Sequence, residues 1–368
     1  MIVMSPPCQP FTRMGRQKDL ADTRTNSFSY LLTLLQRQVL PARLSIYWVE
    51  NVKGFETSQA RGSLLETLGQ CQYIYQEFML TPLQFGIPNS RLRYYLIAQR
   101  KAAQFSFVRQ SDIVIEIPEC CTPFLVHKDP TPESCNSHLG ENSQNGCILT
   151  SNKDHSRAGV TAIDVCEIKD DNSCSHHHVR ADNSRKTVIE EFSQTLRQQY
   201  DDDHRPYPDC QRVENFLEEN SLEYFQKYLL SDKELRRFII MDIVPSSARK
   251  TSCFARRYGN FIEGGGSVFL MTDNPQAVKC ASEMKTCLEK KKGDPKEEWP
   301  EHTMVTLRDL QLRWFTPREM ANLLCFPASF SFPEDVTRKQ MYKCLGNSLN
   351  VHVVSVLIRL LLMEGGKC

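Results

Sequence analysis

The sequence predicts a layered α/β fold with a largely parallel sheet. Short apolar runs alternate with amphipathic helical patterns over residues 1–100, the order that helices crossing between strands of one sheet produce. The chain has 368 residues, 40% of them hydrophobic. Its length therefore allows about two domains at roughly 150 residues each. The composition excludes a collagen-like or wholly disordered chain.

The elements of this alternating pattern can be placed in order. Met1–Met4 is an apolar run that ends at Ser5-Pro6-Pro7, which indicates the tail of a buried strand. Thr25 or Asn26 can cap the first helix, because apolar residues follow at helical spacing. The next elements are predicted as strand, helix, strand and strand, at Leu44–Val49, Leu64–Leu68, Tyr73–Leu80 and Tyr94–Ala98.

Composition divides the chain into four regions. An ordered region at 1–107 is followed by residues 108–205, which are polar and lack hydrophobic periodicity, so we predict a low-complexity, disordered insertion there. Ordered regions are predicted again at 206–300 and 301–368. The insertion contains Cys166, Cys174 and His176–His178, but their spacing fits no compact zinc site, and we expect no bound metal.

Two signals place helices in the last region. Thr316-Pro317-Arg318-Glu319 is a capping box with Pro at the first helical position. Gly346-Asn347-Ser348 is predicted to open a final helix, whose apolar stripe runs from Val353 to Leu361.

Charge and cysteine content limit the function classes only weakly. The net charge is +1, with 11 basic and 6 acidic residues in 1–100, 12 and 21 in 101–220, and 22 and 17 in 221–368. Such mildly basic ends are ordinary for a solvated surface. The 15 Cys without a secretory signal indicate reduced thiols in the cytosol or nucleus. No run approaches the ~18 apolar residues of a membrane span.

Cys8 lies between prolines directly after the first predicted strand. Ligands of open α/β sheets bind at the carboxyl edge of the strands, and a stiff loop there could aim a thiolate at a substrate. The other interpretation is a small buried side chain, the commonest role of a free Cys. The segment Ser5–Phe11 alone leaves both interpretations open.

Two further polar pairs adjoin predicted strands. Glu50 and Asn51 follow one, so they would share the sheet edge with Cys8. A carboxyl group on a ring nitrogen would help a thiolate add to a ring carbon, and Asn51 could hold that carboxyl or the loop. Arg91 and Arg93 point to one face of an extended segment and could bind a phosphate or a base oxygen. Taken singly, a solvated Glu and surface Arg residues are the alternatives.

In this order, the motifs resemble those of the cytosine-C5 methyltransferases. The matching segments are Pro6-Pro7-Cys8-Gln9, Glu50-Asn51-Val52, Arg91-Leu92-Arg93, Phe315–Glu319 and Gly346-Asn347-Ser348. Longer runs at Phe11–Arg16, Asp22–Phe28 and Leu345–Val354 resemble the homologue-2 branch of that family, which methylates cytosine 38 in the anticodon loop of aspartate tRNA.

The resemblance implies a Rossmann-like methyltransferase sheet that uses S-adenosylmethionine, with a smaller target-recognition domain at 206–300. It implies that Cys8 adds to C6 of the cytosine while Glu50 holds N3, and that Arg91 and Arg93 steady the base. The other contacts that it implies are to the cofactor from Pro7, Asn347 and Ser348, and to the substrate from Gln9, Arg16, Asn51, Cys253 and Phe254.

The partner implied by the resemblance is the anticodon stem-loop of aspartate tRNA. We expect a monomer, no membrane partner, and a cytoplasmic and nuclear location. The alternatives are a DNA cytosine-C5 methyltransferase and an inactive form that binds only RNA or a protein partner.

The chain departs from the family pattern in three places. Ala255 replaces a Thr after Cys253-Phe254, and Asn89 stands where DNA-modifying members have Gln. No Gly-rich cofactor loop precedes the Cys8 motif, and Gly264-Gly265-Gly266 lies far from it in the sequence. We therefore expect that two strand–helix units of about 30 residues each are missing, and that the chain binds the cofactor poorly.

Overall fold

The computed structural model describes residues 2–11, 18–37, 46–100, 105–125, 209–272, 274–291 and 299–363. All of them belong to one compact unit, formed by Met1–Lys128 and Arg185–Cys368. Arg16, Cys166, Cys174 and His176–His178 lie outside the described residues. Within the described ranges, no group of three or more His, Cys, Asp or Glu side chains could hold a metal ion.

The elements of the described residues follow the predicted alternation. The strands are β1 (Ile2–Met4), β2 (Ile46–Val52), β3 (Tyr73–Leu80), β4 (Arg93–Arg100), β5 (Ile243–Val244), β6 (Val268–Leu270) and β7 (Leu312–Trp314). The helices are α1 (Asn26–Gln36), α2 (Gln59–Gln70), α3 (Leu222–Gln226), α4 (Asp232–Leu235), α5 (Pro275–Lys291), α6 (Glu301–Asp309), α7 (Pro317–Leu323), α8 (Arg338–Asn347) and α9 (Val351–Leu362).

The first four strands form one mixed sheet in the order β1-β2-β4-β3. β1 pairs with β2 in parallel, whereas β4 runs antiparallel to both β2 and β3. Between β3 and β4 lies only a short 3-10 helix, Pro82–Phe85, with no helix that crosses the sheet, so the chain returns beside β3 in the opposite direction. The α/β class is confirmed, but the prediction of a largely parallel sheet is wrong for these strands.

Helices cover both faces of this sheet. On one face, the apolar side chains of α1 and α2 pack against Val49 and Leu96. On the other face, α9 packs against Trp48 and Tyr95. The helical side chains that are buried in these two layers are Phe28, Leu32, Leu35, Leu64 and Leu68 on one side and Val353, Val356, Leu357, Leu360 and Leu361 on the other.

A second, three-stranded sheet forms from the remaining strands in the order β5-β6-β7. β5 and β6 are parallel, and β7 is antiparallel to β6. One core cluster joins this sheet to α5, α6 and α7. The sheet takes its strands from both sides of the predicted boundary at residue 300.

Residues 105–125 pack on the first sheet. The Met79 N–H donates to the Val114 carbonyl at 2.8 Å, and the Val114 N–H donates to the Glu77 carbonyl at 3.0 Å. Cys121 is buried in the same layer as α9. Residues 108–125 were predicted to belong to the disordered insertion, and the structure instead orders them; residues 126–205 lie outside the described ranges.

The predicted final helix begins later than expected. Gly346 and Asn347 end α8, and Ser348 is its C-cap. α9 starts after Asn350, whose side-chain oxygen accepts from the Val353 N–H at 3.1 Å and so caps the helix. The predicted capping box at Thr316 and Glu319 is confirmed, with both of its hydrogen bonds formed.

Arg338–Leu362 is, by length and composition, apolar enough to cross a membrane. It consists of α8 and α9, which are separated by Ser348–Asn350, and α9 is a core helix of the first sheet. Core helices pass the same test, so this finding is weak, and the expectation of no membrane span stays a prediction.

A buried ion pair ties β7 to α7. The Arg313 guanidinium donates to both Glu319 carboxylate oxygens at 2.7 Å, and the two side chains are 2% and 0% exposed. The same guanidinium lies over the rings of Phe225 and Phe269, at 4.4 and 4.6 Å. Glu319 also accepts from the Thr316 N–H, so the pair fixes the start of α7.

Replacing Arg313 by Met should destabilise the fold strongly, because Glu319 would be left as a buried charge without its partner. We expect a loss of about 3–5 kcal/mol in the free energy of unfolding, measured by urea denaturation. The matched control is Arg308→Met, since Arg308 pairs with Asp232 and Glu301 at an exposed position. The control should unfold at nearly the wild-type urea concentration. Equal midpoints for the two variants would contradict a stabilising role for the buried pair.

Candidate active site

The strand ends of β1 and β2 meet at one edge of the first sheet, because these two strands are parallel neighbours. The Ser5 hydroxyl donates to Glu50 Oε2 at 2.6 Å. The Asn51 amide donates to the Pro6 carbonyl at 3.3 Å. Two predicted motifs that lie 45 residues apart in the sequence are thus brought together.

Asn51 is buried, and both ends of its side chain are used within the protein. Besides the bond to Pro6, its oxygen accepts from the Val52 N–H at 2.9 Å. These bonds place Asn51 against the loop before Cys8, in keeping with one of the two roles predicted for it. Its contact with the substrate stays a prediction.

Cys8 is half-buried and lies in the turn that follows Pro6, the residue to which Asn51 is hydrogen-bonded. The Phe11 N–H donates to the Cys8 carbonyl at 3.0 Å and closes the turn. Gly54, just after β2, supports it: its φ is +109°, and a Cβ there would lie 2.5 Å from the Phe11 carbonyl oxygen. Of the neighbouring predicted residues, Pro7 is exposed and Gln9 is half-buried.

Arg93 approaches Glu50 across the β2–β4 pair. Arg93 lies opposite Val52, so it is a diagonal neighbour of Glu50 on the same face. Its Nε is 3.6 Å from Glu50 Oε1, and the two side chains are 15% and 9% exposed. Ser5 holds the other carboxylate oxygen, so Glu50 is constrained from both sides.

Arg91 is buried and joins segments that are distant in the sequence. Its Nη1 donates to Cys253 Sγ at 3.2 Å and to the Phe254 carbonyl at 3.3 Å. Its Nη2 donates to the carbonyls of Gly346 and Ser348. Burial lowers the pKa of this guanidinium below its ordinary value. The resemblance gave Arg91 a contact with the base, but in the structure these donors bind the protein.

The segment that carries Cys253 pairs with the residues just before β4. Asn89 and Thr251 form an isolated parallel bridge, and the Asn89 amide donates to the Thr251 hydroxyl at 3.0 Å. Phe254 is 1% exposed, with its ring packed edge-on against Tyr258 and Phe315. Its ring therefore supports this segment from the core, and its contact with the substrate stays a prediction.

Gly264-Gly265-Gly266 lies beside the same segment. The Ala255 N–H donates to the Gly265 carbonyl at 2.9 Å, and Gly266 lies against Phe254. Gly265 and Gly266 therefore support the Cys253–Ala255 segment.

Three residues at this site were not predicted. Ser5 binds Glu50, and its position directly after a strand and beside Cys8 is the signal that could have indicated it. Asp22 and Arg24 form a bidentate pair, whose hydrogen bonds lower the pKa of Asp22 to about 2. The hydrogen bond to Asp22 raises the pKa of Arg24, and the Cys8 sulfur nearby adds to that shift.

Comparison with known proteins adds to this geometry. The family model described as C-5 cytosine-specific DNA methylase matches residues 1–362. The chain belongs to this family. A rat protein named tRNA (cytosine(38)-C(5))-methyltransferase is 39% identical over 370 residues, covering 98% of this chain and 81% of the relative.

Two further proteins extend the comparison. A Dictyostelium discoideum protein named DNA (cytosine-5)-methyltransferase is 30% identical and covers 98% of this chain and 76% of its own length. The crystal structure of a Spodoptera frugiperda DNMT2 variant matches with a TM-score of 0.63 at 28% identity, covering 98% of this chain and 78% of that one. The C-5 cytosine methylase assignment thus agrees in sequence and in fold, and the family is enzymatic.

C-5 cytosine methylases use S-adenosylmethionine, whose ribose and amino-acid groups need polar partners. Asn347 is exposed, and within the described residues its side chain makes no hydrogen bond. The Ser348 hydroxyl is half-buried, with one long contact of 3.4 Å to the Leu349 carbonyl. An amide and a hydroxyl that are available beside one another suit such a ligand, so these residues fit the cofactor.

Gly346 must lack a side chain because the Cys253 segment passes close to it. A Cβ at Gly346 would lie 2.3 Å from the Ala255 carbonyl oxygen and 2.7 Å from the Arg256 nitrogen. The Gly346 carbonyl also accepts from Arg91. The lack of a side chain at Gly346 therefore allows the end of α8 and the Cys253 segment to lie this close together.

Gly346→Ala should push the Cys253 segment away and destabilise the chain by about 1–3 kcal/mol, the usual cost of overpacking. The control is Gly62→Ala in the exposed face of α2, where nothing lies within 4 Å of the added Cβ. That change should stabilise the chain by about 0.5–1 kcal/mol, because Ala favours a helix over Gly. Urea denaturation of both variants checks the opposite signs, and a stabilising Gly346→Ala would contradict the close approach.

Ser5→Ala should lower kcat for methyl transfer by about tenfold or more, because Glu50 loses a charge-assisted hydrogen bond. The KM for the nucleic acid should change little, since Ser5 only orients the carboxylate. Steady-state kinetics measure both constants. Ser58→Ala is the control, because Ser58 caps α2 away from Glu50. A wild-type kcat in Ser5→Ala would show that Glu50 needs no such support.

Proposed function

We propose that this chain methylates C5 of cytosine 38 in the anticodon loop of aspartate tRNA, through a covalent adduct between Cys8 and C6. The basis in the structure is the pair of hydrogen bonds that hold Ser5 and Pro6, three and two residues before Cys8, against Glu50 and Asn51. The name of the rat relative, which covers 98% of this chain, supports cytosine 38 of a tRNA as the target.

The first step is addition of the Cys8 thiolate to C6 of the cytosine. The new carbon–sulfur bond pushes electron density onto the ring, so C5 becomes nucleophilic. Glu50, protonated on the oxygen that faces the ring, donates its proton in a hydrogen bond to N3 and so offsets the negative charge that builds up there. After methylation, a water molecule takes the C5 proton, the electron pair of that carbon–hydrogen bond re-forms the C5–C6 double bond, and the carbon–sulfur bond breaks to return the thiolate of Cys8.

S-adenosylmethionine, when bound, supplies the methyl group. Asn347 and Ser348 would bind its polar groups, and the exposed ring of Pro7 would adjoin it. Arg93, on the same face as Glu50, would steady the negative charge around the base.

An anticodon loop suits a site of this kind. Its bases are already unpaired, so little energy is needed to turn one into a pocket. A duplex DNA target would first require the loss of stacking and pairing. DNA remains the second candidate, because the Dictyostelium relative is named a DNA (cytosine-5)-methyltransferase.

The test is transfer of labelled methyl groups from S-adenosylmethionine to an aspartate tRNA transcript by the full 368-residue chain. The proposed function requires label on the wild-type transcript and none on a transcript with uracil at position 38; if the chain binds the cofactor as poorly as its sequence predicts, neither transcript is labelled. Cys8→Ala should abolish transfer, because no other group would add to C6. Cys71→Ala, at a half-buried thiol packed near α1, should transfer at the wild-type rate.

Other outcomes point to the alternatives. Label on duplex DNA but not on tRNA would favour the DNA methyltransferase. Binding of tRNA that survives Cys8→Ala, with no transfer by either form, would favour a form that only binds RNA. Binding should be compared at one stated salt concentration, because contacts with phosphates weaken as salt rises.

A further inference from the structure

Cys253 lies between the two site arginines. Its Sγ is 3.2 Å from Arg91 Nη1 and 3.6 Å from Arg93 Nη2. Sulfur accepts hydrogen bonds at these longer distances, and each contact is with a charged donor. The sulfur therefore bridges two guanidinium groups.

Two buried positive charges side by side need negative charge nearby. Arg91 is 4% exposed, and the Arg93 side chain is 15% exposed, so water screens their repulsion poorly. The charged groups that face this pair are Glu50 on β2 and Cys253, and the Tyr95 phenol lies behind them. Burial raises the pKa of Tyr95, which keeps it neutral.

The thiol itself responds to this environment. Burial alone would raise the pKa of Cys253, but the charges of Arg91 and Arg93 and their hydrogen bonds lower it below the ordinary value of a thiol. The thiolate thus persists as pH falls below the ordinary thiol pKa. It is lost only as pH falls through the lowered pKa.

Arg93 contacts two groups that can carry negative charge, Cys253 and Glu50. Its Nη2 faces Cys253 and its Nε faces Glu50 Oε1 at 3.6 Å. Its Nη1 donates to the Leu92 carbonyl at 2.7 Å, within its own strand. The contact with Cys253 is therefore what draws the outer end of the guanidinium towards the recognition segment.

We propose that Cys253 acts as a thiolate that positions Arg93 between itself and Glu50, and so is a positioning residue for the methyl transfer. The proposal rests on the proposed function, in which Glu50 contacts the target base. Cys253 itself forms no bond with the base. A neutral side chain of the same size would leave two adjacent guanidinium groups with less counter-charge and let Arg93 turn away.

The first experiment changes the charge at position 253 and follows methyl transfer against pH. Cys253→Ser keeps the size and removes the negative charge, and we expect kcat to fall by about tenfold to a hundredfold, as when a charge-assisted hydrogen bond is lost. Cys253→Asp restores a permanent negative charge and should recover most of that loss. KM for the tRNA should change little in either variant, because positioning acts on the chemical step.

The pH profiles should differ between these variants. In the wild type, transfer should fall as pH drops through the pKa of Cys253, and this step should be absent in Cys253→Asp. Cys71→Ser is the matched control, since that half-buried thiol contacts a backbone carbonyl and burial raises its pKa. The control should keep the wild-type profile.

A second experiment needs neither cofactor nor tRNA. Alkylation by iodoacetamide is followed against pH, with the peptides of Cys253 and Cys8 quantified separately by mass spectrometry. The midpoint for Cys253 should lie below that of the same peptide in urea, and Arg93→Gln should raise it. This readout stays informative if the wild-type chain transfers no methyl group, an outcome that would count against the proposed function alone.

Three results would overturn the proposal. One is an alkylation midpoint in the folded chain at or above that in urea. Another is a Cys253→Ser enzyme with wild-type kcat and pH profile. The third is equal loss in Cys253→Ser and Cys253→Asp, which would mean that the sulfur acts by packing or by chemistry of its own.

Discussion

The burial of the Arg91 guanidinium is the constraint on which the rest of the site depends. A buried charge costs several kcal/mol unless hydrogen bonds satisfy it. Here the carbonyls of Phe254, Gly346 and Ser348 accept from it, and so does Cys253. Because these acceptors come from two distant segments, binding the guanidinium of Arg91, two residues before β4, also fixes the end of α8 and the Cys253 segment.

Backbone geometry also brings the acceptors of Arg91 together. The Cys253 segment can approach the end of α8 only because Gly346 has no side chain. Phe254, the residue after Cys253, packs in the core between Tyr258 and Phe315. Arg91 contributes to this from its own backbone as well, since its N–H donates to the Thr81 hydroxyl. Arg91, the Cys253 segment and the end of α8 are thus each held in place. Rigid supports of this kind keep reacting groups in a productive geometry.

Local patterns predicted most elements, and non-local contacts account for the errors. The strands at Met1–Met4 and Tyr73–Leu80 and the capping box at Thr316 depend on neighbours in the sequence, and the structure has them. The direction of β4 depends on whether a helix crosses the sheet between two strands, and periodicity alone does not show this. α9 begins after Asn350, later than the predicted start at Gly346, because Asn is a better N-cap residue than Gly.

The site was predictable in its membership more than in its roles. Cys8, Glu50 and Arg93 are selected both by their places beside predicted strands and by the resemblance, whereas Cys253 is selected by the resemblance alone. Arg91 was expected to face the substrate, yet its partners lie 162 to 257 residues away, so no local pattern could show that it is buried. Burial likewise separates Phe254, a core residue, from Cys253, its neighbour in the sequence.

In the proposed mechanism, the surroundings of Glu50 favour one of its two oxygens as the partner of the base. Ser5 donates to Oε2 at 2.6 Å, so that oxygen already accepts a short hydrogen bond. Arg93 Nε stands 3.6 Å from Oε1, which is longer than a hydrogen bond, so this oxygen is available to the base. In the proposed mechanism a proton on Oε1 would be donated to N3 of the base, and Arg93 would lie within reach of the negative charge that this leaves on the carboxylate. The hydrogen bond from Ser5 would meanwhile keep the carboxylate from rotating.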